Sequence, residues 1–136
     1  MIKTKPQNVD PKQVKLFLAD AQKKAAAARK NLAIDEEAAY QIAYQAMLKG
    51  SLALMLSHGQ RPRVQLGHHI AIIEFAQENL DTKLAGIFAL FDRMRRKRNE
   101  AFYDVAIIGD DEAIDAVEAA EKYLKVVSAD IHTRIP

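Results

Sequence analysis

The stretch RMRRKRNEAFYD, residues 93–104, contains the residue types in this sequence best suited to phosphate chemistry. Five of its first six side chains are cationic, and Asn99 and Tyr103 follow. A guanidinium can grip a phosphate through two parallel hydrogen bonds, and a cluster of cations attracts a polyanion. The stretch therefore predicts a nucleic-acid clamp, part of an active site, or a basic helix face that only meets water.

Helical spacing separates these cations into different stripes. Arg95, Asn99 and Tyr103 are four residues apart and share one stripe of a helix. Arg98 lies in an adjacent stripe, which continues the apolar line through Phe91. An arginine at the edge of a core stripe has to be paired or has to face a polar interface. We therefore expect Arg98 to lie at a site or an interface.

A solvated helix face is the alternative interpretation of the same stretch. Basic runs on helices usually face water, and Arg96 with Glu100 would form an ordinary ion pair one turn apart. Under this interpretation the protein is a purely structural helical bundle. The sequence leaves both interpretations open.

Length and composition indicate one soluble domain. The chain has 136 residues, of which 49% are apolar and 28% charged, a balance typical of a globular protein. We expect a single domain over residues 1–136, with residues 1–9 as a flexible amino-terminal segment. The absence of cysteine excludes disulfides and thiol chemistry. Without a signal-peptide core or an apolar run of about 18 residues, we expect a cytoplasmic protein that does not enter a membrane.

The net charge of +2 is unevenly distributed. Residues 1–30 and 82–103 are net positive, whereas residues 31–81 and 104–136 are net negative. Such a distribution creates local fields that the total charge hides, and it permits a polyanionic partner. The basic first segment could face RNA, the acidic tail or an acidic protein, and the sequence does not choose among them. No motif specific for DNA is present.

The elements that must position these residues are predicted to be helices. Asp10-Pro11 is typical of a helix start, and the first helix is predicted to end near residue 30. Asp35 is predicted to cap a second helix, which ends near residue 59. A short third helix covers residues 68–79, with Ile70 and Ile73 pointing inward. The fourth, residues 83–105, carries the basic run.

The last helix begins at Asp110 with an acidic first turn, and its apolar stripe includes Ile114 and Val117. No strand signal interrupts this order of helices. The sequence therefore predicts an all-α protein, an up-and-down antiparallel bundle of four long helices and one short helix.

The pair Arg98-Asn99, late in the fourth helix of a small Ala-rich bundle, resembles the signature of the HEPN domain family. In that family an arginine, often followed by a polar residue, precedes a histidine by four to six intervening residues. Here Tyr103 stands at the first of these positions, and Asp104 and Val105 stand at the next two. The resemblance covers most of the chain, including the Ala-rich first helix and the loop over residues 59–69.

The resemblance implies a homodimer that acts on RNA. Many family members are metal-independent endoribonucleases, often toxins paired with a nucleotidyltransferase-like antitoxin. By that resemblance Arg98 would hold the scissile phosphate, Asn99 would orient it, and Tyr103 would take the place of the acid/base in a composite site at the dimer interface. The products would be a 2′,3′-cyclic phosphate and a 5′-hydroxyl, without metal or cofactor. RNA would be attracted by the flanking cations Arg95, Arg96 and Lys97.

A non-catalytic module is the second function that the resemblance implies. Some family members bind or dimerise without cutting, and a tyrosine, which titrates near ~10, is far from the neutral range that suits a general base. The partner would then be RNA, a nucleotide or a nucleotidyltransferase. The pair His68-His69 lacks the spacing of a zinc helix and is most simply the start of a short helix, so no metal site is expected.

Overall fold

The computed structural model of the protein describes residues 4–63, 68–103 and 107–136. Over these residues the chain forms five α-helices: α1 (Pro11–Asn31), α2 (Glu36–Ser57), α3 (His68–Asn79), α4 (Ala85–Tyr103) and α5 (Asp110–His132). A single turn of 3-10 helix, Thr82–Leu84, leads into α4. The prediction of an all-α helical bundle is confirmed. Among the helices of this described part, none is long and apolar enough to cross a membrane.

The first two helices begin at side chains that cap them. The Asp10 carboxylate accepts hydrogen bonds from the backbone N–H groups of Lys12 at 3.0 Å and Gln13 at 3.5 Å. The Asp35 carboxylate accepts one from the backbone N–H of Ala38 at 3.2 Å. These contacts satisfy N–H groups that have no partner within the helix. The predicted starts of α1 and α2 are therefore confirmed.

The central helix of the bundle is α2, which packs mainly against α1 and α5. A link of residues 32–35 joins α1 to α2, and so short a link makes two packed helices antiparallel. Ser51 contacts Tyr123, and Ser57 at the end of α2 contacts Arg134, two residues past the end of α5. The helices α2 and α5 therefore run in the same direction.

Aromatic contacts fix α4 against α2 and α5. The ring of Phe91 lies 5.6 Å from that of Tyr44 on α2 and 5.7 Å from that of Tyr123 on α5, both in tilted or edge-on geometry. Further along α4, Lys97 reaches back to Glu112 at the start of α5, so these two helices are antiparallel. The buried aromatic centre thereby determines where the basic end of α4 lies.

Two predicted inward positions are wrong. Ile70 is 41% exposed and Ile114 is 38% exposed. In α3 the buried face instead contains Ile72 and Ala76, which are one turn apart. A short apolar helix offers more than one plausible face, and packing against α2 selects between them.

A small ribbon was not expected from the sequence. Strand β1 (Thr4–Pro6) pairs antiparallel with strand β2 (Gln60–Pro62), and the register places Lys5 opposite Arg61. Strand β1 lies within the segment, residues 1–9, that was predicted to be flexible. Strands of three residues are too short to show an alternating pattern, so sequence periodicity could not reveal them. The turn before β2 uses Gly59, whose φ of +72° suits glycine.

Candidate nucleic-acid interface

Three of the predicted RNA-binding cations on α4 are ion-paired. Arg95 and Arg96 each contact Asp92, at 3.1 and 2.8 Å, and Lys97 contacts Glu112 at 2.8 Å. Such pairs are worth only about 0.2–1 kcal/mol when solvent reaches them. They neutralise part of the local charge, yet they are weak enough for a phosphate to replace the carboxylate.

The remaining residues of the predicted site differ in their surroundings. Asn99 is exposed. The backbone of Tyr103 ends α4, but its side chain lies outside the described residues, as do Asp104 and Val105. The ion pair predicted between Arg96 and Glu100 is replaced by the pair with Asp92 one turn earlier in the chain.

Arg98 has no carboxylate within ion-pair distance among the residues that the structure describes. Its guanidinium carbon lies 5.8 Å from the centroid of the Tyr44 ring, a cation–π arrangement. Arg98 is half-buried. The prediction that it lies at the edge of the core is confirmed, and no carboxylate of the described residues neutralises its charge.

Arg98 lines a cleft of about 280 Å³ bordered by α1, α2, α3 and α4. Apolar side chains of α2 and α3, including Leu52 and Ile72, form part of its wall. None of its described lining residues is acidic. Five of its lining side chains are cationic or imidazole groups: Lys24, Lys49, His68, His69 and Arg98. This composition suits an anion.

The two lysines of the cleft share one nearby carboxylate. Asp20 on α1 lies 3.4 Å from the Lys24 ammonium and 3.9 Å from that of Lys49. The Lys49 ammonium also lies 4.9 Å from the Phe17 ring centroid. One carboxylate cannot neutralise two ammonium groups, so this side of the cleft keeps a net positive charge.

A buried tyrosine positions one of the histidines. Tyr44 is fully buried, and its hydroxyl lies 3.0 Å from Nδ1 of His69. Burial raises the pKa of Tyr44 to about 12, so the phenol stays neutral. Burial, followed by the charges of His68 and Arg98, lowers the pKa of His69 to about 4. The imidazole is therefore neutral at pH 7.

The hydrogen bond also indicates where the proton of His69 lies. Within the described part of the chain, His69 is the partner of the Tyr44 hydroxyl. Leaving a buried hydroxyl without an acceptor costs about 1–3 kcal/mol, which favours donation from Tyr44 to Nδ1. The imidazole proton is then on Nε2, the nitrogen left for a ligand. A neutral Nε2–H can donate to a phosphate oxygen, but it cannot remove a proton.

Sequence reasoning missed two side chains of this cleft, Tyr44 and Lys49. The start of α3 at His68 is as predicted, but spacing along the chain did not indicate that His69 lies beside α4. A usable signal exists for Tyr44: it lies one turn after Tyr40 on the apolar face of α2, and a buried phenol needs a hydrogen-bond partner. Over the described ranges, no three His, Cys, Asp or Glu residues are grouped to hold a metal.

Comparison with known proteins does not assign a family. No family model matches the chain, and no curated protein is significantly similar to it. The HEPN resemblance of Arg98-Asn99 therefore stays a prediction. The cleft itself supplies the physical basis for a functional proposal.

Proposed function

We propose that this chain is a HEPN-like, RNA-directed protein whose cleft at Arg98 binds the phosphodiester backbone. The observation that carries the proposal is the composition of the cleft, which combines cationic and imidazole groups with no described acid. Arg98 is the main phosphate ligand, because a guanidinium held over an aromatic ring loses little freedom when it binds. The Nε2–H of His69 is a second donor.

Polyanions gain further affinity from the cations beyond the cleft. Arg95, Arg96 and Lys97 follow the same helix, and their ion pairs can be exchanged for phosphate contacts. Each phosphate that a protein cation neutralises releases condensed counterions from the nucleic acid, which makes binding salt-dependent. A single small anion would not use these additional cations, whereas a strand of RNA would.

Binding without cleavage is the form of this function that the cleft favours. With Tyr44 as the donor to Nδ1 of His69, the imidazole proton is on Nε2, and that nitrogen then lacks the free electron pair that a general base needs. In this form the protein is a non-catalytic HEPN-type module, and its partners are RNA or a nucleotidyltransferase.

Metal-independent cleavage is the second candidate, favoured by the guanidinium of Arg98, which lies over the Tyr44 ring and has no carboxylate partner among the described residues. Arg98 would stabilise the charge that develops on the scissile phosphate, and Asn99 would orient it. Tyr103, as the phenolate, would take the proton of the ribose 2′-hydroxyl as the 2′-oxygen attacks phosphorus, and the 5′-oxygen would leave and take a proton from water to give the 5′-hydroxyl. Positions 98 and 103 lie about 140° apart around a helix of 3.6 residues per turn, so a homodimer would bring them together across its interface. Such a protein would be the toxin of a pair with a nucleotidyltransferase-type antitoxin.

One experiment separates the two forms. The parent, Arg98→Ala, Tyr103→Phe and the control Lys122→Ala are incubated with single-stranded RNA in EDTA, and binding and cleavage are measured together. Lys122 is a suitable control because it is an exposed cation of α5, a helix that contributes none of the described lining of the Arg98 cleft. The module predicts binding without cleavage, weakened at least tenfold by Arg98→Ala and unchanged by Lys122→Ala. Cleavage that both Arg98→Ala and Tyr103→Phe abolish supports the enzyme. Binding that is insensitive to Arg98→Ala contradicts the proposed site.

A further inference from the structure

The β1–β2 ribbon holds two positive charges next to each other. Lys5 and Arg61 are directly opposite in the antiparallel register, and Arg63 follows at the end of β2. Like charges directly opposite each other destabilise a strand pair. In a ribbon of three residues per strand few other contacts offset that repulsion, so a bound anion would relieve it.

The ribbon borders a second cleft, of about 320 Å³. Its cationic lining consists of Lys5, Arg61 and Arg63, and none of its described lining residues is acidic. Three side chains line both this cleft and the Arg98 cleft: Leu52, His68 and Ile72. The two clefts are therefore parts of one groove, with cationic ends and a partly apolar middle.

The middle of the groove also favours negative charge. His68 is the first residue of α3, and the amino-terminal end of a helix carries a partial positive charge. Beside it, the side chains of Leu52 and Ile72 offer an apolar surface. A nucleic-acid strand alternates charged phosphates with flat apolar bases, so it matches a groove that alternates in the same way.

We infer that the ribbon is a second phosphate subsite, and that the groove binds single-stranded RNA over more than one phosphate. The inference rests on the proposed function for the nature of the ligand, and it extends the site by a surface that the Arg98 cleft does not need. Arg61 and Arg63 are the principal ligands of the second subsite, because both are exposed arginines. Lys5, held in register by β1, adds a third charge.

The second subsite has a quantitative signature. For single strands, the logarithm of the binding constant falls with the logarithm of salt concentration with a slope of about −0.7 per neutralised phosphate. Replacing Arg61 and Arg63 by alanine removes two such contacts and makes the slope less steep by about 1.4. When the salt concentration is lowered from 1 M to 0.1 M, this difference in slope means that the two contacts strengthen binding about 25-fold.

The test uses the full chain and fluorescein-labelled oligouridylates of 2 and 12 nucleotides, measured by anisotropy between 50 and 200 mM KCl. The variants are Arg61→Ala/Arg63→Ala, Arg98→Ala and the control Lys122→Ala/Lys125→Ala. The control removes the same charge from two exposed positions of α5. At 0.1 M KCl we expect the ribbon variant to bind the longer RNA about 25-fold more weakly than the parent, with the predicted change in slope, and the dinucleotide less than twofold more weakly. The control should stay within twofold of the parent for both.

The outcomes separate this inference from the proposed function. If Arg98→Ala weakens binding while the ribbon variant behaves like the α5 control, the proposed function stands and the second subsite is wrong. If the ribbon variant alone weakens binding, the ribbon subsite stands and the Arg98 cleft is wrong. If the parent binds neither RNA at 50 mM KCl, both are wrong. Inorganic polyphosphate that competes as well as the 12-nucleotide RNA, at equal phosphate concentration, contradicts RNA as the occupant of the groove.

Discussion

Ser51 and Tyr123 form a buried hydroxyl contact between α2 and α5, and its direction predicts an unequal response to mutation. Neither side chain is exposed, and their oxygen atoms are 2.5 Å apart. The Ser51 hydroxyl donates its proton to the backbone carbonyl of Met47 at 2.8 Å. Because that proton is already used, the Tyr123 hydroxyl must be the donor to Ser51. Burial raises the pKa of Tyr123, so the phenol stays neutral and keeps this proton.

The two single substitutions leave different groups behind. Ser51→Ala removes the acceptor and strands the Tyr123 hydroxyl in the core, which costs about 1–3 kcal/mol. Tyr123→Phe removes the donor, but Ser51 keeps its bond to the Met47 carbonyl, so the loss is about 0.5–1.5 kcal/mol. We therefore expect Ser51→Ala to be the more destabilising change. The double variant leaves no hydroxyl stranded and should lose about as much as Tyr123→Phe alone.

Urea denaturation followed by circular dichroism at pH 7 measures the four free energies of this cycle. Ser128→Ala is the control, since it removes a hydroxyl from a half-buried position of α5 and should change stability by less than about 0.5 kcal/mol. Additive losses in the double variant would show that the two hydroxyls do not depend on each other. A larger loss for Tyr123→Phe than for Ser51→Ala would refute the assigned direction of the hydrogen bond.

Two further predictions concern the site and the packing of α2. The pKa of His69 is lowered from 6.5 to about 4, so between these pH values the unfolded chain binds a proton that the folded chain does not. The free energy of unfolding should therefore decrease as the pH is lowered from 6.5 to 4, and it should decrease less in His69→Gln. Urea denaturation at several pH values measures both changes. A pH dependence that His69→Gln leaves unchanged would contradict the assignment. At Gly50, an added Cβ would collide with the Leu124 side chain, so Gly50→Val should destabilise by about 1–3 kcal/mol. Gly86→Val, at a helical position where a Cβ meets open space, should not destabilise, because valine has a higher helix propensity than glycine. Equal thermal midpoints for the two glycine variants would mean that the α2–α5 contact is not close-packed.

The helix starts were predictable because their causes are local. Asp10 and Asp35 act within one turn of the backbone that they cap, so the sequence alone contains the whole interaction. The ion pairs of Arg96 are equally local, but both Asp92 and Glu100 lie four residues away. Side-chain conformation chooses between them, and spacing does not.

The candidate cleft was only partly predictable because its groups come from different helices. Arg98 was identified from its place at the edge of an apolar stripe. Tyr44 and His69 reach it from α2 and α3, through packing that no sequence interval encodes. The ribbon adds a second case, since β1 and β2 are far apart in the chain and each is three residues long. Contacts of that kind depend on the assembled bundle.

The β1–β2 ribbon has a consequence for the order in which the protein opens and closes. Its two strands are joined by few hydrogen bonds, and the whole α1–α2 hairpin lies between them in the sequence. Closing so long a loop costs entropy, so the ribbon should form only after that hairpin has packed. Its amide hydrogens should therefore exchange with solvent through local opening, well before global unfolding exposes the core of α2. A polyanion held by Lys5 and Arg61 would slow that exchange. The groove would then acquire part of its order from its own ligand.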